Sequence, residues 1–248
     1  MLRPLAAAAL LVLAGCGGST EVAPPPQANT STEEDVREHF VADRRAEKPR
    51  RGRFLTARVM RRTPMRGSPG GRVLARVGRR TEFGSRRVLA VTARRDGWLR
   101  VTASDLANGE HGWIRASAAR LGSTNVWIRV DRSRRELTLR HDRRVLRRLP
   151  VAVGRPGTET PLGRFAVTDR LRTRNPDSPY GCCAVALSGH QTKLLPGWPG
   201  GDRLAIHATP NPETVGTSAS LGCMRAHDRD IRVLMRRVPL GAPVVVVA

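Results

Sequence analysis

The sequence predicts a mainly β chain: a small barrel, then a larger β domain with one or two helices. Three observations predict it. Short alternating apolar runs recur from Phe54 to about Leu121, separated by turns rich in Gly, Pro and Asn. A second set of such runs begins at Val126 and continues almost to the last residue. Only one stretch, after Ala226, carries the apolar spacing of a helix.

The chain has 248 residues, which suits one or two small domains that each bury a core. It opens with Arg3, an apolar core from Leu5 to Gly15, and Cys16, the layout of a secretory signal. That core is well short of the roughly 20 residues needed to span a bilayer. Its exit, Leu13-Ala14-Gly15-Cys16, resembles the lipobox of bacterial lipoproteins. The resemblance implies a signal peptide over 1–15 and a lipid on Cys16, so that the protein is extracytoplasmic and anchored to the envelope membrane. The alternative is a plain cleaved signal peptide that contains a Cys. Gly17 to Thr32, with Pro24-Pro25-Pro26 inside it, reads as a tether. Glu33 to Lys48 reads as a short charged helix with few apolar positions (Val36, Phe40, Val41). Tether and helix together fill 16–53.

Strands of the small barrel, taken as 54–122, are expected at Thr56–Val59, Val73–Val77, Val88–Val91 and Trp98–Val101. Turns fall at Ser68-Pro69-Gly70-Gly71, Asp96-Gly97 and Asn108-Gly109. The two Gly-Trp pairs, Gly97-Trp98 and Gly112-Trp113, resemble the end of a bacterial SH3-like domain. That resemblance implies a wall-targeting role; the competing reading is that both Trp are packing residues.

The larger domain, 124–248, has strand patterns at Val126–Val130, Glu136–Arg140, Val145–Val153, Gly163–Thr168, Ala184–Ser188 and Leu204–His207. Ile231, Leu234, Met235 and Val238 then fall at i, i+3, i+4 and i+7 of one helix. Asp228 and Asp230 stand near its start, and Pro239, Gly241 and Pro243 stop it. Val244–Val247 reads as a buried closing strand.

The formal net charge is +23, nearly all from Arg, since Lys occurs only at 48 and 193. Such a chain is drawn to polyanions. Outside the cytoplasm these are anionic wall polymers or lipid headgroups; no nucleic-acid motif is present, and nucleic acid is not expected as a partner. The plainer reading is Arg spread over solvated faces. Apart from Cys16, the cysteines are Cys182, Cys183 and Cys223, an odd number that points to one reactive thiol.

The chemistry concentrates in Ile206-His207-Ala208 and Ser220-Leu221-Gly222-Cys223-Met224-Arg225, joined by a Gly-, Pro-, Asn-, Ser- and Thr-rich loop. Acyl transfer by cysteine needs the thiolate, and an imidazole can take the thiol proton. Backbone N–H groups at the Gly-Cys turn can form an oxyanion hole. Cys182, Cys183, His190 and His207 admit a metal-site reading, though their spacing is not that of a standard zinc motif. His39, His111, His141 and His227 read as surface or turn residues.

These motifs resemble the L,D-transpeptidase (YkuD-type) family. Its signature is a His, a loop, then Ser/Thr-His-Gly-Cys-apolar-Arg. Val153-Gly154 with Thr160-Pro161-Leu162-Gly163-Arg164-Phe165 matches the family's VG…TPxGxF segment, and Tyr180-Gly181 through Ser188 matches its YG…LS region more loosely. The resemblance spans about Val126 to Val247. It implies a β-sandwich catalytic domain that needs no metal or organic cofactor, with peptidoglycan stem peptides as substrate. Carried over, Cys223 is the nucleophile and His207 its base, oriented by the Ala208 carbonyl. Gly222 and Cys223 supply oxyanion N–H groups. Arg225 steadies the site or meets a stem carboxylate, Ser220 shapes the loop, and Tyr180 lies by the substrate. The departure is Leu221, where the family has His. A non-catalytic wall-binding protein is the rival reading.

Overall fold

The computed structural model describes residues 40–42, 53–175, 177–197 and 201–248. The expected signal peptide, Cys16 and most of the tether lie outside the described residues. Of the segment read as a short helix, only Phe40–Ala42 is described, and it is a strand, β1, paired antiparallel with residues 171–173.

The smaller domain holds β2 (Phe54–Val59), β3 (Thr63–Arg66), β4 (Val73–Val77), β5 (Val88–Arg95), β6 (Trp98–Thr102), β7 (Gly112–Arg115) and β8 (Ala119–Thr124). They form one seven-stranded sheet in the order β4-β3-β7-β6-β5-β2-β8. The Asp96-Gly97 turn closes the β5–β6 hairpin, with Arg95 opposite Trp98. Met65, Leu99, Val101 and Ile114 fill the core beneath it. The short strand β3 carries no clear alternation signal because Pro64 interrupts it. β8 is mostly exposed or half-buried, so its sequence lacks an apolar face, and it runs to Thr124, past the expected boundary at 122.

The larger domain contributes β9 (Val126–Asp131), β10 (Glu136–His141), β11 (Arg144–Pro150), β12 (Val153–Gly154), β13 (Gly163–Thr173), β14 (Cys183–His190) and β15 (Arg203–His207). After these come β16 (Ser218–Ser220), β17 (Met224–Arg225), α1 (Asp228–Arg237) and β18 (Pro243–Val247). The main sheet runs β11-β10-β9-β18-β13-β14-β15-β17, and β12 pairs with β16 apart from it. The single run expected from Val145 to Val153 is broken. Pro150, with no N–H to continue the ladder, ends β11. β13 changes partner along its length: Gly163–Ala166 pair with β18, and the ladder to β14 begins at Val167 with a register shift.

The helix forms where the spacing predicts it. Ile231, Leu234 and Met235 are buried, as is Val238 just beyond the last turn. Each such burial contributes about 1.5–3 kcal/mol. Asp228 and Asp230 sit in the first turn and Arg236 and Arg237 in the last, each complementing the helix dipole. Arg170, buried in β13, donates to the Met235 and Val238 carbonyls at 3.4 and 3.3 Å. Among the described residues no helix is long and apolar enough to cross a membrane.

The far side of β13 and β14 is covered by the smaller domain's loop between β4 and β5. Thr81 donates to Asp169 at 2.5 Å, Glu82 ion-pairs with Arg203, and Phe83 packs against Leu171, Ala184 and Ala186. Asn108 meets both backbone groups of His190, at 2.6 and 2.8 Å. This contact buries β13 on both faces and gives the buried Asp169 its partner, while the buried Arg170 is met instead by the carbonyls at the end of α1.

Candidate active site

β15 and β17 run parallel, with Ile206 opposite Met224 and His207 opposite Arg225. Ile206, Met224, Ala208 and Ala226 all belong to the apolar core. Side chains alternate along a strand, so His207 and Arg225 face away from that core; Cys223 directly precedes β17, and its thiol reaches the backbone of β15 at the Arg203 carbonyl. The pairing thus brings the expected nucleophile, base and arginine to one sheet edge.

His207 is buried, and its Nδ1 lies 2.6 Å from the Ala208 carbonyl. A carbonyl only accepts, so Nδ1 carries the hydrogen and Nε2 is left with its lone pair. Burial lowers the His207 pKa to about 4; the Ala208 carbonyl opposes this and the Arg225 charge adds to it. The imidazole is therefore neutral at pH 7. The Tyr180 ring meets His207 edge-on, with centroids 5.1 Å apart. Burial pushes the Tyr180 pKa up to about 12, with Cys223 adding to the rise and Arg225 opposing it.

Cys223 is only partly accessible, and its Sγ lies 3.7 Å from the Arg203 carbonyl. Burial raises the thiol pKa, while the Ala205 backbone and Arg225 pull it down. The resting pair is thus a neutral thiol and a neutral imidazole, so any attack by this thiol would require transfer of its proton. Cys182 and Cys183 are joined to each other as a vicinal disulfide, and Cys223 is the free cysteine among the described residues. Neither sulfur of the pair is therefore bonded to Cys223. The same bond removes both sulfurs from the metal reading. His190 is engaged with Asp202 and the Ser104 carbonyl, and among the described residues no three His, Cys, Asp or Glu side chains gather as ligands.

The turn before Cys223 is fixed by side chains from three segments. Ser220 Oγ donates to the Cys223 carbonyl at 2.5 Å and accepts from the Gly222 N–H at 3.1 Å. That second bond engages the Gly222 hydrogen expected to serve an oxyanion. Thr160 Oγ1 accepts from the Gly154 N–H at 2.9 Å and donates to the Gly222 carbonyl at 2.7 Å. The buried Gln191 Nε2 donates to the carbonyls of Thr158 and Leu221, at 3.0 and 2.8 Å. Gly222 has φ +124°, and a Cβ there would run into the Gln191 amide. Gly181, at φ +60°, lies so close to Ala208 that a Cβ would come within 2.6 Å of the Ala208 side chain.

Thr160 and Gly154 lie in the VG…TPxGxF segment, whose motif marked the region without showing that it holds the nucleophile's turn. Gln191 had no signal, since an isolated Gln in a polar loop matches no pattern. Asp169 and the Arg203 side chain meet partners of the other domain, a contact with no signature in the local sequence. Leu221 is half-buried, and its carbonyl rather than its side chain carries the contact to Gln191.

Residues 125–246 match the family profile described as the L,D-transpeptidase catalytic domain, YkuD. YkuD of Bacillus subtilis (strain 168), which carries an L,D-transpeptidase name, is 34% identical over 119 residues, covering 48% of this chain and 64% of that protein. Its namesake in Bacillus licheniformis is 34% identical over 117 residues, 47% of this chain and 62% of that protein. The match thus spans less than two thirds of either relative. A crystal structure of an L,D-transpeptidase from Mycobacterium tuberculosis H37Rv aligns at 20% identity and a TM-score of 0.43, over 58% of this chain and 67% of that one. The larger domain, which holds His207 and Cys223, is therefore similar over residues 125–246 to the L,D-transpeptidase catalytic domain family.

Proposed function

We propose that this protein is a peptidoglycan L,D-transpeptidase that forms 3→3 cross-links. The observation that carries the reading is the shared face of β15 and β17. A tautomer-fixed His207 lies there opposite Arg225, next but one to Cys223, in a domain similar to that family, which supports reading the two as a base and nucleophile pair. Cys223 attacks the carbonyl of the third residue of a tetrapeptide stem. Its thiol proton passes to His207 Nε2 and on to the departing D-Ala amine, leaving a thioester. The side-chain amine of a second stem's diamino acid then attacks the thioester, and Cys223 regains its proton. The Cys223 N–H supports the developing oxyanion, since the Gly222 N–H is engaged by Ser220. Arg225 meets a stem carboxylate, a role suited to its planar guanidinium. The lipid-anchored, extracytoplasmic placement through Cys16 and the SH3-like assignment of the smaller domain belong to the same proposal and rest on the sequence motifs.

The test is mass spectrometry of products from disaccharide-tetrapeptide, with the wild type beside Cys223→Ala. A dimer lighter than two donors by one D-Ala, absent with the variant, is the expected result. Tripeptide without dimer makes the protein an L,D-carboxypeptidase. No turnover by the folded wild type returns the non-catalytic binding reading.

A further inference from the structure

The smaller domain carries a cavity of about 340 Å³ lined by Arg61, Arg62, Arg66, Arg115, Trp98 and the first two residues of β3, Thr63 and Pro64. The floor is rigid. Trp98 is buried, and the Arg115 guanidinium stacks 4.1 Å above its ring. Arg66 donates to the Gly71 carbonyl at 2.6 Å and Arg61 to Ser117 Oγ at 3.3 Å. Each of those bonds uses one of five guanidinium hydrogens and leaves the others to a ligand.

The charge at this cavity is not neutralised within the domain. Residues 54–124 contain fifteen Arg and four carboxylates. All four carboxylates are engaged elsewhere: Glu82 with Arg203, Asp96 with Arg95, Asp105 with Arg87, and Glu110 with the Ala107 N–H. Among the described residues no acidic side chain lines the cavity. Four guanidiniums converge there on a surface held by proline and by stacking, and guanidinium pairs with tetrahedral oxyanions in forked geometry. Four such forks exceed what a single phosphate engages, so the fit is to successive phosphates on one chain. The covered Trp98 ring offers no open face for a nucleobase, which argues against single-stranded nucleic acid.

We propose that this cavity is a binding site for the phosphate groups of an extended anionic polymer. A phosphodiester-linked wall polymer and an anionic lipid headgroup share this chemistry, and the test separates them. It stands apart from the catalytic reading, since none of its residues lies in the larger domain.

The experiment measures binding of the whole chain to linear inorganic polyphosphate, to phosphatidylglycerol vesicles and to oligodeoxythymidylate, over a range of salt. The variant is R62Q/R66Q/R115Q. The control is R143Q/R144Q/R236Q, three exposed arginines of the other domain. Circular dichroism checks that each folds, and R62K/R115K keeps the charge while removing the forks. The cavity triple is expected to weaken polyphosphate binding at least about tenfold and flatten the log–log salt slope by about 0.7 per lost contact. The control triple should change binding less than about twofold, and the lysine variant should fall between. Equal losses in both triples overturn the proposal, because they reduce the effect to diffuse charge. Tighter binding of the oligonucleotide than of polyphosphate also overturns it, as does binding to vesicles alone.

Discussion

At the residue scale, the state of His207 is the feature with the clearest consequence. Its Nδ1–H is committed to the Ala208 carbonyl, and burial holds its pKa near about 4. A base that must be unprotonated then works across the whole range above that value. The acid limb of Cys223 acylation, followed with a β-lactam or a thiol-reactive reporter, should fall near pH 4 to 5 rather than near the 6.5 of a free imidazole. A limb between pH 6 and 7 would mean that the site is more open to water than the buried geometry implies. Arg225 contributes to the lowering, so Arg225→Gln should move the limb upward while leaving the protein folded.

At the element scale, the proposed catalysis depends on a turn that its own sequence stabilises only in part, through Ser220. Leu221 to Cys223 lies between β16 and β17 and belongs to neither strand. Thr160, Ser220 and Gln191 supply its bonds from outside or across it. Gln191→Leu would leave the Thr158 and Leu221 carbonyls without this donor while keeping similar bulk, at a cost of about 1–3 kcal/mol. The expected outcome is a lower kcat with a smaller change in KM, because the displaced atoms belong to the nucleophile's turn. Unchanged kinetics in a folded variant would show that Thr160 and Ser220 suffice. Much of this region was legible in advance. The helix from Asp228, the strand ending at His207 and the Gly-Cys turn follow from periodicity and punctuation that local residues impose. What stayed hidden were the short strands β3, β8, β12, β16 and β17, and the Gln191 brace. Their stability comes from partners distant in sequence, and their residues carry no alternation of their own.

At the scale of the whole molecule, the two domains meet over a buried carboxyl. Asp169 is fully buried on β13, accepts from Thr81 of the other domain, and has one carboxyl oxygen without a hydrogen-bond partner. Burial raises its pKa above the ordinary carboxylate range; the nearby hydroxyls of Thr81, Ser85 and Thr168 and the charge of Arg87 only partly offset this. The sign of the linkage follows. A carboxyl with a raised pKa binds its proton more readily in the folded chain than in the unfolded one. The stability associated with that proton is complete below the ordinary carboxylate value near pH 4. It is lost as pH rises through the raised value. At neutral pH the domain contact therefore holds either an ionised carboxylate in a poor environment or a proton taken up at a cost. Asp169→Asn keeps the acceptor for Thr81 and removes the ionisation. Its melting temperature should exceed that of the wild type at pH 7, and the gap should close as pH falls below about 4. A gap that is the same at every pH would assign the effect to packing. A variant less stable at pH 7 would mean that the carboxylate is better solvated at this contact than the buried geometry indicates. The result bears on function as well as stability. The same contact includes the Glu82–Arg203 pair, and the Arg203 carbonyl touches the Cys223 thiol, so one residue joins the domain contact to the proposed nucleophile.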